Sequence, residues 1–234
     1  MPRTIGSYSQ NTRTLVRQSA ERLFARHGYA AVSMRQLASD VGVQVGTIYN
    51  YTKDKQALLF AIMSEHMTEL LQAWTREGQD ADPSDQLSQF LNFHLDYHLA
   101  RRDAVFIAYM ELRNLDSTNF EEIETLRRQY EDALEQILIA GKNAKAFDIA
   151  DTRINTLAII GMLTEVVTWY RPDGRLKLDE VKSHRYDASQ LSCFLCWLYI
   201  HSHILYRQQW DGQWLKIERE FDGIAPSRAL FLQD

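Results

Sequence analysis

Apolar residues recur three and four positions apart through most of this 234-residue chain, and this helical period is the feature that most restricts its fold. Leu87, Phe90, Leu91 and Leu95, for example, share one face of a predicted helix. Only four prolines and ten glycines occur, which is few for the many tight turns of an all-β protein. Because 45% of the residues are apolar, a packed core is feasible. The sequence therefore predicts an all-α fold.

Turn and linker signals divide the predicted helices into two parts. Gly28 ends a first helix that starts near Gln10, and Gly42 ends a second helix whose Ser33 and Gln36 have capping-box spacing. The polar stretch 78–85 is the clearest linker. We predict a three-helix N-terminal domain over 1–60 and a larger helical bundle over 61–234. A fourth helix, capped by Asp54 and covering about 54–76, bridges the two.

Charge is distributed unevenly along the chain. Residues 1–60 carry eight Lys/Arg and three Asp/Glu, a net +5, while the remainder sums to −10. A basic N-terminal segment on an acidic body indicates an anionic partner for that segment, although chance clustering gives the same count. The N-terminus lacks the apolar region of a secretory signal, and no apolar run is long enough for a membrane span. We therefore expect a cytoplasmic protein without a membrane partner.

The stretch VGVQVGTIYNYTKDK, residues 41–55, concentrates hydrogen-bonding side chains beside positive charge. Two short helices joined at a tight glycine turn form a helix-turn-helix over about 33–55, whose second helix enters the DNA major groove. Gly46 lets the backbone approach DNA closely. The other predicted DNA-contacting residues in this stretch are Gln44, Thr47, Asn50, Tyr49, Lys53 and Lys55.

An ordinary helical hairpin with the tyrosines in its core is the alternative interpretation of this stretch. Ile48 and Tyr49 cannot both point outward, so we expect Ile48 in the core and Tyr51 partly buried. The two capped helices, the local +5 charge and the lysine pair together favour DNA binding over the hairpin alternative.

The run SAERLFARHGYAAVSMRQLASDVGVQVGTIYNYTKDKQALL resembles the N-terminal domain of TetR-family transcriptional regulators. The resemblance covers residues 12–62 and implies a homodimeric repressor that binds a palindromic operator in double-stranded DNA and releases it when a small ligand binds the C-terminal domain. It places Tyr49 and Lys55 on phosphates, Thr47 and Gln44 near bases, and Ser33 and Arg35 on the helix that crosses the DNA backbone. Thr52 stands where the family usually has a core phenylalanine.

Two further segments resemble a TetR subgroup that senses CoA esters: E-x-R-N-L, beginning at Glu111, and WYRPDG, beginning at Trp169. The resemblance implies an acyl-CoA or related hydrophobic effector. An acyl chain needs an apolar tunnel between helices, and CoA phosphates need cations such as Arg113. The candidate ligand-binding residues are Phe106, Tyr109, Met110, Arg113, Met162, Val166 and Trp169. Each apolar member of this set can equally be plain core.

His94 and His98 have the i, i+4 spacing of metal ligands on a helix. No third ligand is evident, so a structural pair on a polar helix face is the favoured interpretation. The alternative function, an all-helical metal enzyme of ferritin-like type, requires Glu-x-x-His on two helices, which we do not find. The familiar hydrolase, nucleotide-binding and zinc-protease motifs are also missing. We expect no cofactor, no metal and no enzymatic activity.

The composition changes after Val181. Both cysteines, three of the five tryptophans and three of the seven histidines follow this residue. We predict either an unusual aromatic helix at about 188–208, which would form a dimer face, or a tail altered by a shifted reading frame.

Overall fold

The computed structural model describes residues 5–77 and 82–183, and it describes side chains from residue 12 to residue 182 within those ranges. All regular structure in this part of the chain is helical, which confirms the all-α class. The helices are α1 (Ile5–His27), α2 (Met34–Val41), α3 (Val45–Ile48), α4 (Lys55–Arg76), α5 (Pro83–Leu99), α6 (Arg102–Met110), a short 3-10 helix (Leu112–Asn114), α7 (Ser117–Asn143), α8 (Thr152–Trp169) and α9 (Leu178–Ser183).

Local capping chemistry fixes the ends of the N-terminal helices as predicted. Gly28 and Gly42 have φ angles of 80° and 77°, the left-handed conformation that glycine adopts most easily. Ser33 and Gln36 form the complete capping box at the start of α2. Two predicted boundaries were wrong: α1 begins at Ile5 instead of near Gln10, and α3 ends at Ile48 instead of near residue 51.

Asp54 caps α4 as expected, since its carboxylate accepts a hydrogen bond of 2.8 Å from the Ala57 N–H. Thr52 lies just before this cap, and its hydroxyl donates to the Asp54 carbonyl at 2.9 Å. The residue that replaces the family's phenylalanine therefore braces the start of α4. The predicted linker extends too far on its C-terminal side, because Asp82 caps α5 and Pro83 is its first residue.

The core of the three N-terminal helices continues into the bundle. Phe24, Leu37 and Ile48 are fully buried, and the same cluster includes Ile107 of α6 and Ile123 of α7. Tyr51 is partly buried against it, as predicted. The described residues belong to one compact unit, in which α1 packs against α6 as well as α4.

Helices α4, α5, α7 and α8 pack against one another to form the bundle. Within the described ranges, none of the helices is both long and apolar enough to cross a bilayer. The predicted helix at 188–208 and the altered-frame hypothesis concern residues outside the described part of the chain.

Candidate nucleic-acid interface and buried polar core

The short helix α3 presents polar side chains on one side and its anchor on the other. Ile48 is fully buried, which turns its neighbours outward. Gln44, Tyr49 and Asn50 are exposed, and Thr47 is half-buried. The tyrosine ring is 51% exposed, too much for a core residue. The core alternative therefore fails for Tyr49, and the predicted base-contacting residues share one accessible surface.

Gly46 has no role in the packing of its own chain. It is exposed, its φ is not positive, and a Cβ added there would meet no atom within 4 Å. A glycine with neither strain nor crowding weakens a helix without a benefit to the fold. Its position on α3 is consistent with close approach by a partner outside the chain.

The two predicted contact residues at the start of α2 differ in availability. Ser33 is committed to the capping box: its hydroxyl accepts from the Gln36 N–H at 3.2 Å and donates to the Gln36 side chain at 2.8 Å. Arg35 is exposed and has no ion pair among the described residues. Arg35 is thus the member of this pair whose side chain can extend to a phosphate.

The two lysines that follow α3 also differ. Lys53 is exposed. The Lys55 ammonium instead donates to the backbone carbonyls of Tyr29 and Val32, at 2.8 and 2.9 Å, and lies 4.1 Å from the centre of the Tyr29 ring. Burial lowers the pKa of Lys55, and nearby Glu111 opposes that shift. Lys55 therefore holds the α1–α2 connection to α4, and at most one N–H remains for DNA.

Part of the basic N-terminal charge is neutralised inside the protein. Arg17 pairs with Glu65 at 2.6 Å and Arg22 pairs with Asp40 at 2.7 Å. Asp40 is already counted in the net +5 of residues 1–60, whereas Glu65 is not, so the Arg17–Glu65 pair reduces this excess by one. Arg35 and Lys53, beside α2 and α3, are exposed.

The E-x-R-N-L segment joins the DNA-binding helices to the bundle. Glu111 is buried, and its carboxylate accepts from the Tyr29 N–H at 3.0 Å and the Asn114 side chain at 2.5 Å. The amide of Gln56, in the first turn of α4, donates to the Asn114 carbonyl. We call these four residues, Tyr29, Gln56, Glu111 and Asn114, the interdomain joint. Sequence reasoning read Glu111 only as part of a subgroup motif.

The predicted ligand-binding residues occupy different environments. Met162 and Val166 are buried, Tyr109 and Met110 are half-buried, and Phe106, Arg113 and Trp169 are exposed. The Tyr109 hydroxyl accepts a hydrogen bond of 3.1 Å from Thr164, and Arg127 lies 4.6 Å above the ring. Arg127 also pairs with Glu124 at 3.3 Å. Two surface clefts, of about 430 and 460 Å³, are lined by none of the seven candidates.

Three histidines are buried in the bundle instead of lying on a polar face. His94 and His98 are completely buried, and their rings stack 3.7 Å apart, so the predicted polar setting was wrong. His66 of α4 is also buried, and its ring centre lies 5.9 Å from that of His98. Burial lowers the pKa of His66 to about 4 and of His94 to about 3, and it lowers that of His98 well below its ordinary value.

Among the described residues, several polar atoms near these histidines have no hydrogen-bond partner. They comprise both ring nitrogens of His66, Nε2 of His98 and the Tyr97 hydroxyl. Such atoms are rare in native cores without water or a ligand. Within the described ranges, no three His, Cys, Asp or Glu side chains are grouped to hold a metal. Sequence reasoning missed His66, although its position between Ile62 and Leu70 on the apolar face of α4 signals a buried imidazole.

Family comparisons agree with this architecture over both parts of the chain. A family described as bacterial regulatory proteins, tetR family, matches residues 17–62, and the tetracyclin repressor-like C-terminal domain matches residues 80–189. The chain belongs to the TetR family of transcriptional regulators. The matched N-terminal segment contains α2, the glycine turn and α3 whole, so the exposed surface described above belongs to the DNA-binding domain of this TetR regulator.

Individual relatives cover most of the chain. The fatty acid metabolism regulator protein of Bacillus subtilis (strain 168) is 24% identical over 163 residues, 68% of this chain and 84% of the relative. A tetR-family regulatory protein from Rhodococcus RHA1 superposes with a TM-score of 0.70 at 27% identity, covering 77% and 95% of the two chains. AibR, solved in complex with isovaleryl coenzyme A and operator DNA, superposes with a TM-score of 0.66 at 23% identity, covering 73% of this chain and 94% of AibR.

Proposed function

We propose that this TetR regulator is a homodimeric repressor that binds a palindromic operator and releases it when an acyl-CoA or related hydrophobic metabolite binds the bundle. The observation that carries the DNA-binding part is the exposed α3 surface, where Gln44, Thr47, Tyr49 and Asn50 surround a glycine that the fold does not require. Exposed Arg35 and Lys53 flank this surface and supply positive charge for phosphates.

An apolar face on α8 supports the homodimer. Ile154 is 64% exposed and Leu157 is 48% exposed, and exposed Gly161 continues the same helical stripe one turn later. A glycine in such a stripe allows two helices to approach closely. Pairing of α8 helices would bury the stripe and set the two copies of α3 apart by a fixed distance. Reading both half-sites requires about one DNA turn, roughly 34 Å.

The interdomain joint provides a route for ligand-dependent release. Glu111 directly follows α6, and Asn114 ends the 3-10 helix that comes next; they hold Tyr29 and Gln56 beside the DNA-binding helices. A ligand that shifts α6 would move this attachment and change the separation of the recognition helices. Release then depends on how much more tightly the ligand binds the DNA-free state than the DNA-bound state.

The CoA-ester class of effector rests on the E-x-R-N-L and WYRPDG segments and on the fatty acid regulator among the relatives. The Tyr170 carbonyl in WYRPDG accepts from Arg102 at 3.0 Å, so this segment anchors the end of α8 to α6. An effector that alters α6 would therefore act on both the bundle and the joint.

Fluorescence anisotropy with labelled DNA from upstream of the protein's own gene tests this function. We expect salt-dependent binding by a dimer, and release on addition of octanoyl-CoA but not of CoA alone. Tyr49→Ala should weaken binding about tenfold, because an exposed phosphate contact is lost while the fold is kept. The matched control is Phe120→Ala, which removes an exposed aromatic ring from α7 at a position outside the DNA-contacting and ligand-binding candidates. Binding that is equally tight to unrelated DNA, or that Tyr49→Ala leaves unchanged, would refute the assignment.

A further inference from the structure

Helices α4 and α5 bring three polar side chains together inside the bundle: His66, Tyr97 and His98. We call them the histidine–tyrosine cluster. Their ring centres form a nearly equilateral triangle, with 6.0 Å between His66 and Tyr97, 5.9 Å between His66 and His98, and 6.0 Å between Tyr97 and His98. All three are more than nine-tenths buried, and each contributes at least one polar atom without a hydrogen-bond partner. A partner located among them would satisfy several of these atoms together.

The hydrogen-bonding roles of the cluster follow from its neighbours. His98 Nδ1 lies 3.0 Å from the backbone carbonyl of His94, and because a carbonyl can only accept, Nδ1 carries the proton. In a neutral ring, Nε2 of His98 is then an acceptor. The Tyr97 hydroxyl offers a donor, and neutral His66 offers one donor and one acceptor. A complementary group must therefore both donate and accept hydrogen bonds.

The cluster does not provide the charge that an anionic group would need. Burial lowers the pKa of His66 to about 4 and that of His98 well below its ordinary value, so both rings are neutral at pH 7. The nearby cation is Arg101, whose charge also lowers the pKa of both rings; it is exposed, stacks 3.8 Å from the centre of the Tyr97 ring and donates to the Tyr97 backbone carbonyl at 3.5 Å. Burying a carboxylate or phosphate without a paired cation is strongly unfavourable. The cluster consequently favours an uncharged guest.

Tyr97 links the cluster to the surface. It lines a cleft of about 430 Å³ together with Phe93 and Arg101, while its own side chain contacts the buried histidines. Phe93 lies 5.6 Å from Tyr97 and 5.3 Å from Trp74 between ring centres, so one side of this cleft is aromatic. The rest of its lining is polar and comprises Glu77, Gln89, Asn92, Asp96 and Arg101. An apolar molecule could pack against these rings while its polar group reaches the histidines.

We propose that the histidine–tyrosine cluster is the polar end of the effector site and binds an uncharged amide or hydroxyl group of a small apolar molecule. This proposal rests on the proposed function, in which the bundle binds a small effector. It also narrows that function, because the pantetheine arm of a CoA ester carries both amides and a hydroxyl, whereas a free fatty acid carries a carboxylate.

Isothermal titration calorimetry on the full-length protein without DNA tests the proposal with octanamide, 1-octanol and octanoate, which share one apolar chain. We expect octanamide or 1-octanol to bind at least tenfold more tightly than octanoate at pH 7. Tyr97→Phe removes one hydroxyl and should weaken the preferred probe about tenfold. Tyr51→Phe removes a hydroxyl beside the N-terminal core, outside both proposed binding sites, and should leave all three affinities unchanged.

Three results would overturn the proposal. Octanoate could bind as tightly as octanamide, Tyr97→Phe could bind every probe like the unaltered protein, or neither uncharged probe could bind at all. Titration with Co²⁺ alone adds a further arm: a visible absorption band that disappears in His66→Phe would make the cluster a metal site instead. The calorimetry contains no DNA and does not depend on operator binding. If operator binding or ligand-induced release failed in the anisotropy experiment, the proposed function would be contradicted while the calorimetric result would stand.

Discussion

The DNA-binding helices and the bundle both contain polar residues in unexpected number, but they place them in opposite environments. In the turn directly after α3, Tyr49 and Asn50 are exposed, whereas Ile48 of α3 is fully buried in the core. In the bundle, His66 and His98 are buried and retain polar atoms without partners. The first arrangement leaves a surface ready for a large polar partner, and the second encloses groups that only a small molecule or water can reach.

The same contrast between exposed and bonded side chains decides which lysines can supply positive charge to DNA. Lys53 and Lys55 are two residues apart, yet one side chain is exposed and the other is bonded to two carbonyls of its own chain. Clusters of basic residues in a sequence therefore combine DNA-facing cations with cations that support the domain. Burial and hydrogen bonding distinguish a cation that can face DNA from one that is bonded within its own domain.

The largest expected effect concerns the buried histidines. Because their pKa values in the folded protein lie below the ordinary value, the unfolded chain binds protons that the folded protein excludes, and acid favours unfolding. Stability should be unaffected above about pH 6.5 and should fall as pH drops toward 4. His66 alone should cost about 2 kcal/mol between pH 7 and pH 5. Urea denaturation at several pH values measures this loss.

The control for the acid effect is His66→Phe, which removes one titrating ring while keeping an aromatic side chain in the bundle. Its stability should depend less steeply on pH than that of the unaltered protein. Equal pH dependence of the two proteins would show that His66 is not excluded from protonation in the fold.

Gly141 and Gly46 provide a matched pair of glycines, one in each region. A Cβ at Gly141 would lie 2.0 Å from the Phe147 ring, whereas a Cβ at Gly46 would meet nothing within 4 Å. Gly141→Ala should destabilise the fold by about 1–3 kcal/mol, since the ring must move. Gly46→Ala should leave the Tm unchanged or slightly raised and weaken DNA binding about tenfold. Thermal melts and anisotropy titrations separate the two, and a Gly46→Ala protein with full DNA affinity would contradict close approach at this position.

The interdomain joint should couple ligand binding in the bundle to DNA binding by the N-terminal helices. Glu111→Gln keeps the shape of the side chain but weakens its bond to the Tyr29 N–H, because a charged acceptor is stronger than a neutral one. We expect a three- to tenfold change in the octanoyl-CoA concentration that releases half of the DNA, which corresponds to about 1 kcal/mol of coupling. Glu122→Gln, on the exposed surface of α7, is the control. Identical release curves for both variants would exclude the joint from the mechanism.

The two lysines should give the smallest but most discriminating effects. Lys53→Ala should lower the slope of log affinity against log salt by about one, while leaving the Tm unchanged. Lys55→Ala should lower the Tm, because two backbone carbonyls lose their donor, and should change the salt slope little. The reverse pattern would assign Lys55 to a DNA phosphate, as the family resemblance implies.

Much of the architecture could be predicted from local signals in the sequence. The capping box of Ser33 and Gln36, the glycine stops at Gly28 and Gly42 and the Asp54 cap all depend on residues within four positions of one another. Helical period and the TetR resemblance supplied the fold and the outward orientation of α3. Helix ends that lack such signals were misplaced: α1 begins at Ile5 instead of near Gln10, and α3 ends at Ile48, whose side chain is fully buried.

The functional surfaces depended on contacts between distant residues, which periodicity does not encode. The sequence by itself indicated an all-helical TetR regulator with Gln44, Thr47 and Tyr49 on or directly beside α3. Only the tertiary structure decided that Lys55 supports the α1–α2 connection, that Glu111 contacts Tyr29 across 82 positions, and that His66 meets His98. The physical reason is that a polar side chain acquires its role from the groups that fold against it, and those groups come from elsewhere in the chain.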